Sequence, residues 1–165
     1  MSINEAFIQE LENEAKATRK LLERVPLDKA DWKPHPKSTA LGNLATHIAE
    51  IPGWTVSTLE QDELDFAKFD YKPTVVSSTA ELVKILDENV GKAKKSLERA
   101  RDEVFMKPWT MRNGETIYFT MPKITVLRNF SYNHWYHHRA QLGVYLRLLD
   151  VPIPYIYGPT ADEPM

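Results

Sequence analysis

The sequence predicts an all-α fold, a four-helix bundle with a small β-hairpin before its last helix. Four long stretches carry apolar residues three to four positions apart, the spacing of one buried stripe on a helix. Proline-rich connectors separate these stretches, and Asn113–Gly114 lies between short β-prone flanks, which favours a tight hairpin turn. With 165 residues, 42% of them hydrophobic, the chain suits a single domain covering residues 1–165.

The first helix begins at a predicted capping box. Ser2 and Glu5 have the S-x-x-E spacing in which each side chain accepts the other residue's free backbone N–H. Pro26 ends the helix, and the three prolines of residues 26–39 indicate a connector. The apolar stripe of this helix consists of Ile3, Phe7, Leu11, Ala15, Leu22 and Val25.

The second helix is expected to start at Ser38 or Thr39 and to extend to about Leu59. Pro52–Gly53 falls inside it and should kink or break it, because proline lacks an N–H donor and clashes with the preceding turn. A second irregular connector is predicted over residues 62–77.

The third helix is predicted from another capping box, formed by Ser78 and Glu81, and its apolar stripe continues to Ala100. After the hairpin, Pro122 is expected in the first turn of the last helix, which extends to about Leu149. Four prolines in the remaining tail prevent its continuation.

The composition excludes several classes of protein. A net charge of −2 without a basic cluster argues against a nucleic-acid partner. The chain has no cysteine, so disulfides, thiolate metal ligands and a cysteine nucleophile are ruled out, and a reducing compartment is favoured. No signal peptide and no membrane-spanning apolar stretch are recognisable, so a cytoplasmic location without a membrane partner is predicted.

Histidines are concentrated in the last predicted helix, at His134, His137 and His138. At about 100° per residue, His138 lies about 40° from His134 and about 6 Å along the axis, on the stripe that carries the helix's apolar residues. The same projection places Trp135 and Tyr136 well away from this stripe and His137 on its flank.

Two histidines at H-x-x-x-H spacing on one helical face can bind the same metal ion. His47 lies on the inward stripe of the second helix, so it can reach the His134 and His138 pair inside a bundle. Three imidazoles suit zinc, nickel or a similar divalent ion, and three ligands leave a position open, as in catalytic sites. Two alternatives remain, that the histidines are hydrogen-bonded core residues and that His137 replaces His138.

Other polar residues are candidates for the same site. Glu50 could act as a general base or orient an imidazole, although an exposed helical glutamate is the alternative. Arg139 could clamp a substrate carboxylate or form a structural ion pair, and Gln141 flanks the same motif. The further candidates for lining a substrate pocket, each with packing as its alternative, are Trp54, His137, Tyr136 and Tyr145.

The motifs "HIAEIPGW" (residues 47–54), "NHWYHHRAQLGVYLR" (133–147) and "VPIPYIYGPTADE" (151–163) resemble the DinB/YfiT-like superfamily, over essentially the whole chain. The resemblance implies up-down-down-up helix connections and one divalent metal held by three histidines, which here are His47, His134 and His138. It also implies a homodimer. Some relatives are metal-dependent enzymes that use a low-molecular-weight thiol, and others are hydrolase candidates.

Three hypotheses about function follow. In the first, a metal-dependent enzyme activates a thiol or water to attack an electrophilic small molecule, as a thiol-dependent S-transferase or a hydrolase. In the second, the protein binds a metal without catalysis. In the third, the bundle is an interaction module with structural histidines, for which an exposed apolar strip of Trp109, Tyr118 and Phe119 would be evidence.

Overall fold

The computed structural model describes residues 2–68 and 74–164, and its elements are mostly helical. Residues 69–73 of the predicted second connector lie outside the described residues. The helices are α1 (Ile3–Leu22), α2 (Leu41–Glu50), α3 (Trp54–Glu60), α4 (Thr79–Arg99), α5 (Asp102–Phe105), α6 (Lys123–Val126) and α7 (His134–Leu148). The strands are β1 (Glu63–Asp65), β2 (Pro108–Asn113) and β3 (Thr116–Pro122).

Ser2 and Ser78, the two residues predicted to open capping boxes, each begin a helix. The prediction that Ser38 or Thr39 starts the second helix was wrong, because α2 begins at Leu41 after Ala40, without a side-chain cap. The Ser2 N–H donates to Glu5 Oε2 at 2.8 Å, and the complete capping box is present. At the start of α4, the Ser78 hydroxyl accepts from the Glu81 N–H at 3.2 Å, but the Glu81 carboxylate accepts from the Ser77 N–H instead. In this second box the Glu81 carboxylate therefore caps the N–H of Ser77, one residue before the N-cap residue Ser78.

The apolar stripes of the long helices meet in one core. α1 and α2 both pack against α4, and α7 packs against α1 and α2. Burying a leucine or isoleucine fully contributes about 1.5–3 kcal/mol each, so these contacts are the main source of stability. Fully buried side chains at this junction include Leu11, Leu22, Leu41, Ile48, Leu82, Leu86, Leu97, Leu142 and Leu146.

The predicted break in the second helix is confirmed. A 3₁₀ turn at Ile51–Gly53 separates α2 from α3. Gly53 lies close to α4, since a Cβ at this position would lie 2.6 Å from Asn89 Oδ1 and would displace that side chain. The Asn89 amide in turn donates to the Ala49 carbonyl at 3.3 Å. α3 can therefore pack closely on α4 while it continues beyond the histidine-bearing α2.

Strands β2 and β3 pair antiparallel, and β1 adds a third strand parallel to β2. The sequence indicated no strand at β1, which lies in the predicted irregular connector. Asp65, at the end of β1, fastens it to the turn between β2 and β3, since its Oδ1 accepts from the Gly114 N–H at 2.9 Å and from the Ala67 N–H at 3.1 Å. Gly114 has a φ of 56°, which favours glycine.

The last helix is not a continuous α-helix as predicted. A π-helical segment, Leu127–Asn133, lies between α6 and α7. Such segments have wider turns closed by i→i+5 hydrogen bonds and frequently occur next to functional sites. Here the segment ends directly before His134, so it sets the position from which the histidine-bearing face of α7 starts.

The projection of α7 was wrong about Trp135, which is only 1% exposed. Trp135, Leu142 and Leu146 form the buried stripe, because the largest apolar surfaces take the centre of the core. His134 and His138 are half-buried and lie at the edge of that stripe. The histidines thus border the core instead of occupying its centre, where solvent and ligands would be excluded.

Trp109 does not belong to an exposed strip, since it is 2% exposed, whereas Tyr118 is 54% exposed. β2 turns Trp109 toward the helices, and Tyr118 lies on the outer part of β3. None of the described helices is long and apolar enough to cross a bilayer.

Candidate metal centre

The structure brings His47 of α2 together with His134 and His138 of α7. The Nε2 atoms of His47 and His134 are 3.1 Å apart, and one ring nitrogen from each of the three residues lies within 4.8 Å of the others. Ring centroids are separated by 4.5 Å between His134 and His138 and by 4.9 Å between His47 and His138. The three imidazoles therefore converge on one small volume.

The surroundings keep these imidazoles neutral. Burial and, to a smaller extent, the charges of the neighbouring histidines together lower the pKa of His134 to about 4. Burial also lowers the pKa of His47 and of His138. Neutral imidazole is the form that coordinates a metal, so at neutral pH the cluster offers its lone pairs without first losing protons.

The arrangement fits a divalent ion. Two nitrogens that are each about 2.0–2.1 Å from one tetrahedral ion lie about 3.3 Å apart, close to the separation of the His47 and His134 Nε2 atoms. Three nitrogen ligands without a thiolate match the preferences of zinc, nickel and related ions. The described residues thus supply a ligand set that leaves at least one position for water or substrate.

Gln141 holds the ring of His138. Its Oε1 lies 2.8 Å from His138 Nδ1, and its Nε2 lies 3.1 Å from His137 Nε2. If the amide nitrogen donates to His137, the amide oxygen must accept from His138, so Nδ1 carries the proton and Nε2 presents a lone pair. Gln141 therefore contacts a candidate ligand and not an open substrate space.

We expect Gln141→Leu to lower zinc affinity about 10- to 100-fold, the usual cost of losing a hydrogen-bond partner that orients a metal-binding imidazole. Leucine has a similar size, so the packing of α7 is preserved. Competition titration with a chromogenic chelator measures the affinity. An unchanged affinity would show that Gln141 does not orient His138.

Glu50 lies one turn after His47 on α2. Its carboxylate raises the pKa of His47, against the larger effect of burial, which indicates that the two groups interact. The Thr74 hydroxyl donates to Glu50 Oε1 at 2.5 Å. Glu50 is half-buried and lines a cavity that His47 also borders, so its carboxylate is placed beside the cluster.

Two cavities meet at His47. The smaller, of about 280 Å³, is lined mostly by residues with polar side chains, namely Thr39, Asn43, Leu44, Thr46, His47, Thr74 and His138. The larger, of about 520 Å³, is lined by His47, Glu50, Trp54, Ser57, Thr58, Leu64, Phe66, Trp109, Met111, Val126 and Phe130. The cluster can therefore be approached from a polar side and from an apolar side.

Trp54 packs against two of the histidines and, like His47, lines the larger cavity. Its ring centroid lies 5.1 Å from that of His134 and 5.5 Å from that of His47, both edge-to-face. The 3₁₀ turn before α3 places the tryptophan there, one helical turn beyond Glu50. Trp54 thus contacts both the histidine cluster and the larger cavity, as a pocket-lining residue would.

Arg139 and Tyr145 point to other parts of the fold. Arg139 is 4% exposed, and its Nη1 lies 2.6 Å from Glu14 Oε2 on α1. Its guanidinium also contacts Thr18 and the Tyr157 hydroxyl. The ion pair, one of the two alternatives for Arg139, is therefore present, and the clamp for a substrate carboxylate stays a prediction.

The Tyr145 hydroxyl donates to the Thr39 carbonyl at 3.2 Å, and its ring packs edge-to-face on Trp32. Tyr136 donates to Glu10 Oε1 at 2.6 Å, on the α1 side of α7. His137 is exposed next to His138, with ring centroids 5.1 Å apart, and is not part of the three-histidine cluster.

Sequence reasoning missed most of the larger cavity. Its walls combine α3, the ends of β1 and β2, and the segment before α7, which are far apart in the chain. One signal was available, since Phe130 precedes His134 by one turn of the last predicted helix. The lining residues that were not recognised as such are Ser57, Thr58, Leu64, Phe66, Trp109, Met111, Val126 and Phe130.

The fold and the site together define a helical-bundle protein with a three-histidine cluster that fits a metal. The sequence profile of the DinB family matches residues 1–164, and the chain belongs to this family.

Solved structures with similar folds include a DinB-like protein from Bacillus cereus ATCC 10987, with a TM-score of 0.71 and 21% identity, covering 94% of this chain and 98% of that one. Another is the DinB-like protein YjoA from Bacillus subtilis, with a TM-score of 0.68 and 17% identity, covering 90% of this chain and 96% of that one. No protein with a curated description matches.

Proposed function

We propose that the protein is a metal-dependent enzyme that binds one divalent ion, zinc or nickel, through His47, His134 and His138. The observation that carries the proposal is the convergence of three ring nitrogens within 4.8 Å. A divalent ion held by three neutral imidazoles would lower the pKa of a bound water or thiol and so would supply a nucleophile at neutral pH.

The chain's own residues have distinct tasks in this proposal. Glu50 accepts the proton of a water or thiol that enters beside His47. Gln141 fixes the ring orientation of His138. Trp54 covers one side of the cluster and limits the access of bulk water. The nucleophile forms a new bond to the electrophilic atom of a small molecule, and the bond from that atom to its leaving group breaks, as in thiol transfer or hydrolysis. The leaving group departs with the electron pair of that bond and can take up the proton that Glu50 accepted.

The smaller cavity supports a role for a polar co-substrate. Its rim offers the hydroxyls of Thr39 and Thr74 and the amide of Asn43 next to His138. A low-molecular-weight thiol carries several polar groups, which these residues can hydrogen-bond. Water would use the same entrance if the reaction is hydrolysis.

Native metal content tests the first step of the proposal. Untagged wild-type protein should carry about one zinc or nickel per chain when measured by inductively coupled plasma mass spectrometry. His47→Ala should carry far less, and a folded wild-type protein that binds neither added zinc nor added nickel would refute the proposal.

We expect Glu50→Gln to retain the metal but to lower turnover about a hundredfold, since positioned general bases usually contribute 10²- to 10⁴-fold. Activity is sought with the metal-loaded protein on aryl esters and on thiols paired with aryl halides. Equal turnover of both proteins would remove Glu50 from the mechanism. A loaded wild type that turns over none of these compounds would favour the second candidate, a metal-binding protein without catalysis.

The proposal also covers the order of the helix connections, the oligomeric state and the cellular location. An up-down-down-up arrangement is supported by the pairing of α1 with α4 and of α2 with α7. A homodimer is supported by exposed Val144 and Leu148, one turn apart on α7. A cytoplasmic location is supported by the absence of cysteine from the sequence.

A further inference from the structure

The larger cavity beside the histidine cluster has the character of a substrate-binding site. Its volume of about 520 Å³ lies within the range of small-molecule pockets, about 300–1,000 Å³. Such pockets combine mostly apolar walls with a few polar groups that fix orientation. Here seven of the lining residues have apolar or aromatic side chains, namely Trp54, Leu64, Phe66, Trp109, Met111, Val126 and Phe130.

The sheet builds one wall of the cavity. Leu64 of β1 pairs with Met111 of β2, and Trp109 lies two residues before Met111, so these side chains share a face. Trp109 is buried, whereas Met111 is half-buried at the cavity. The short parallel strand β1 thus has a function in the fold, because it extends an apolar surface from β2 toward α3.

The segment before α7 forms another wall. Phe130 stacks on Phe119 of β3, with ring centroids 4.9 Å apart and an interplanar angle of 23°. Phe119 in turn lies 6.2 Å from Trp109, centroid to centroid. This aromatic row holds Phe130 against the cavity, so the wall is supported from behind and does not depend on a loose side chain.

The charged groups of the cavity are restricted to the end near the cluster. Among the described residues that line it, Glu50 and His47 are the two with acidic or basic side chains. An anionic group in the apolar part would lose its hydration without gaining a partner, which is costly. The apolar walls favour an uncharged body, and the titratable groups are confined to the Glu50 and His47 end.

We propose that this cavity is the substrate subsite, and that it takes the uncharged aromatic or aliphatic body of a small molecule whose reactive group faces His47 and Glu50. The inference rests on the proposed function and specifies the substrate class of the same site. The polar co-substrate then approaches from the smaller cavity, on the other side of His47.

Two hydroxamic acids test the substrate class, because they share a head group that binds divalent metals and differ in their apolar body. With the zinc-loaded protein, 2-naphthohydroxamic acid should bind at least tenfold more tightly than acetohydroxamic acid, by isothermal titration calorimetry. The 6-carboxy derivative of the naphthyl compound should bind at least tenfold more weakly than the naphthyl compound itself. Equal affinity for the naphthyl and acetyl compounds would overturn the proposal, as would undiminished binding of the carboxylate.

Ser57→Phe fills the cavity from α3 at a half-buried position without removing an apolar contact. This variant should lose the preference for 2-naphthohydroxamic acid over acetohydroxamic acid, while its zinc content stays at the wild-type level. Ala140→Phe adds the same ring at an exposed position of α7 and should leave the preference unchanged. If Ser57→Phe does not fold, Met111→Trp narrows the cavity from β2. A preference that persists in a folded cavity-filling variant would overturn the proposal.

A neutral dye separates this inference from the metal hypothesis. N-phenyl-1-naphthylamine needs no metal, and its fluorescence should report binding to the wild type and at least tenfold weaker binding to Ser57→Phe. The protein could fail to bind zinc and yet bind the dye, with at least tenfold weaker binding in Ser57→Phe. In that case the proposed function is refuted, but the apolar binding site is confirmed. If the dye binds neither protein, or both equally, the subsite is refuted.

Discussion

Replacing His134 by alanine is expected to lower the zinc affinity at least a hundredfold, and the protein should remain folded. Structural zinc sites with four ligands bind with about 10–16 kcal/mol in zinc-finger peptides, so the loss of one ligand in three should remove several kcal/mol, and each 1.4 kcal/mol is tenfold. His134 is half-buried at the edge of the core, so its truncation leaves the main leucine contacts in place. Isothermal titration calorimetry with zinc measures the loss.

His137→Ala is the matched control for this variant. His137 lies on the same helix, is exposed, and is not part of the cluster, so its removal should change zinc affinity less than threefold. A large loss in His137→Ala with little loss in His138→Ala would mean that His137 replaces His138 as ligand. Unchanged affinity in His134→Ala would identify the three histidines as hydrogen-bonded residues of the bundle.

Arg139→Met is expected to destabilise the fold by about 3 kcal/mol while zinc affinity stays unchanged. Removing one partner of a buried ion pair typically costs about 3–5 kcal/mol, because the remaining charge is left buried without compensation. The side chains of Arg139 and Glu14 are 4% and 12% exposed, and the lower end of this range allows for the remaining access of water to Glu14. Urea denaturation followed by circular dichroism measures the free energy of unfolding.

Arg147→Met provides the comparison, since Arg147 lies two turns later on α7 and pairs with Asp162 at the surface, at 2.5 Å. Exposed pairs of this kind contribute about 0–1 kcal/mol, so this variant should lose less than about 1 kcal/mol. If Arg139→Met is no less stable than Arg147→Met, the buried ion pair is not a structural element of the bundle. A loss of substrate binding without a loss of stability would instead restore Arg139 as a substrate clamp.

The long helices could be predicted from sequence because their signals are local. Capping residues, apolar residues three to four positions apart and helix-ending prolines all act within a few residues of one another. The convergence of the histidines could be predicted for a related reason, since inward stripes of helices in a bundle must meet. His47, His134 and His138 accordingly came together as expected.

The errors concern features that depend on competition between residues. The helical projection treated all apolar residues of α7 alike, but Trp135 buries far more surface than its neighbours and rotates the core stripe away from the histidines. The π-helical segment before His134 gives no sequence signal comparable to a proline or glycine. Strand β1 has only three residues and exists because β2 offers it an edge.

The sequence by itself determined the helical class, the family and the three histidines, because each depends on residue type and spacing within short segments. Tertiary structure alone decided which residues surround them. Arg139 was drawn to Glu14 by a charge on another helix, and Gln141 was placed against His138. The apolar cavity arose where α3, the sheet and Phe130 meet, since surfaces from distant segments enclose a space only after the chain has folded.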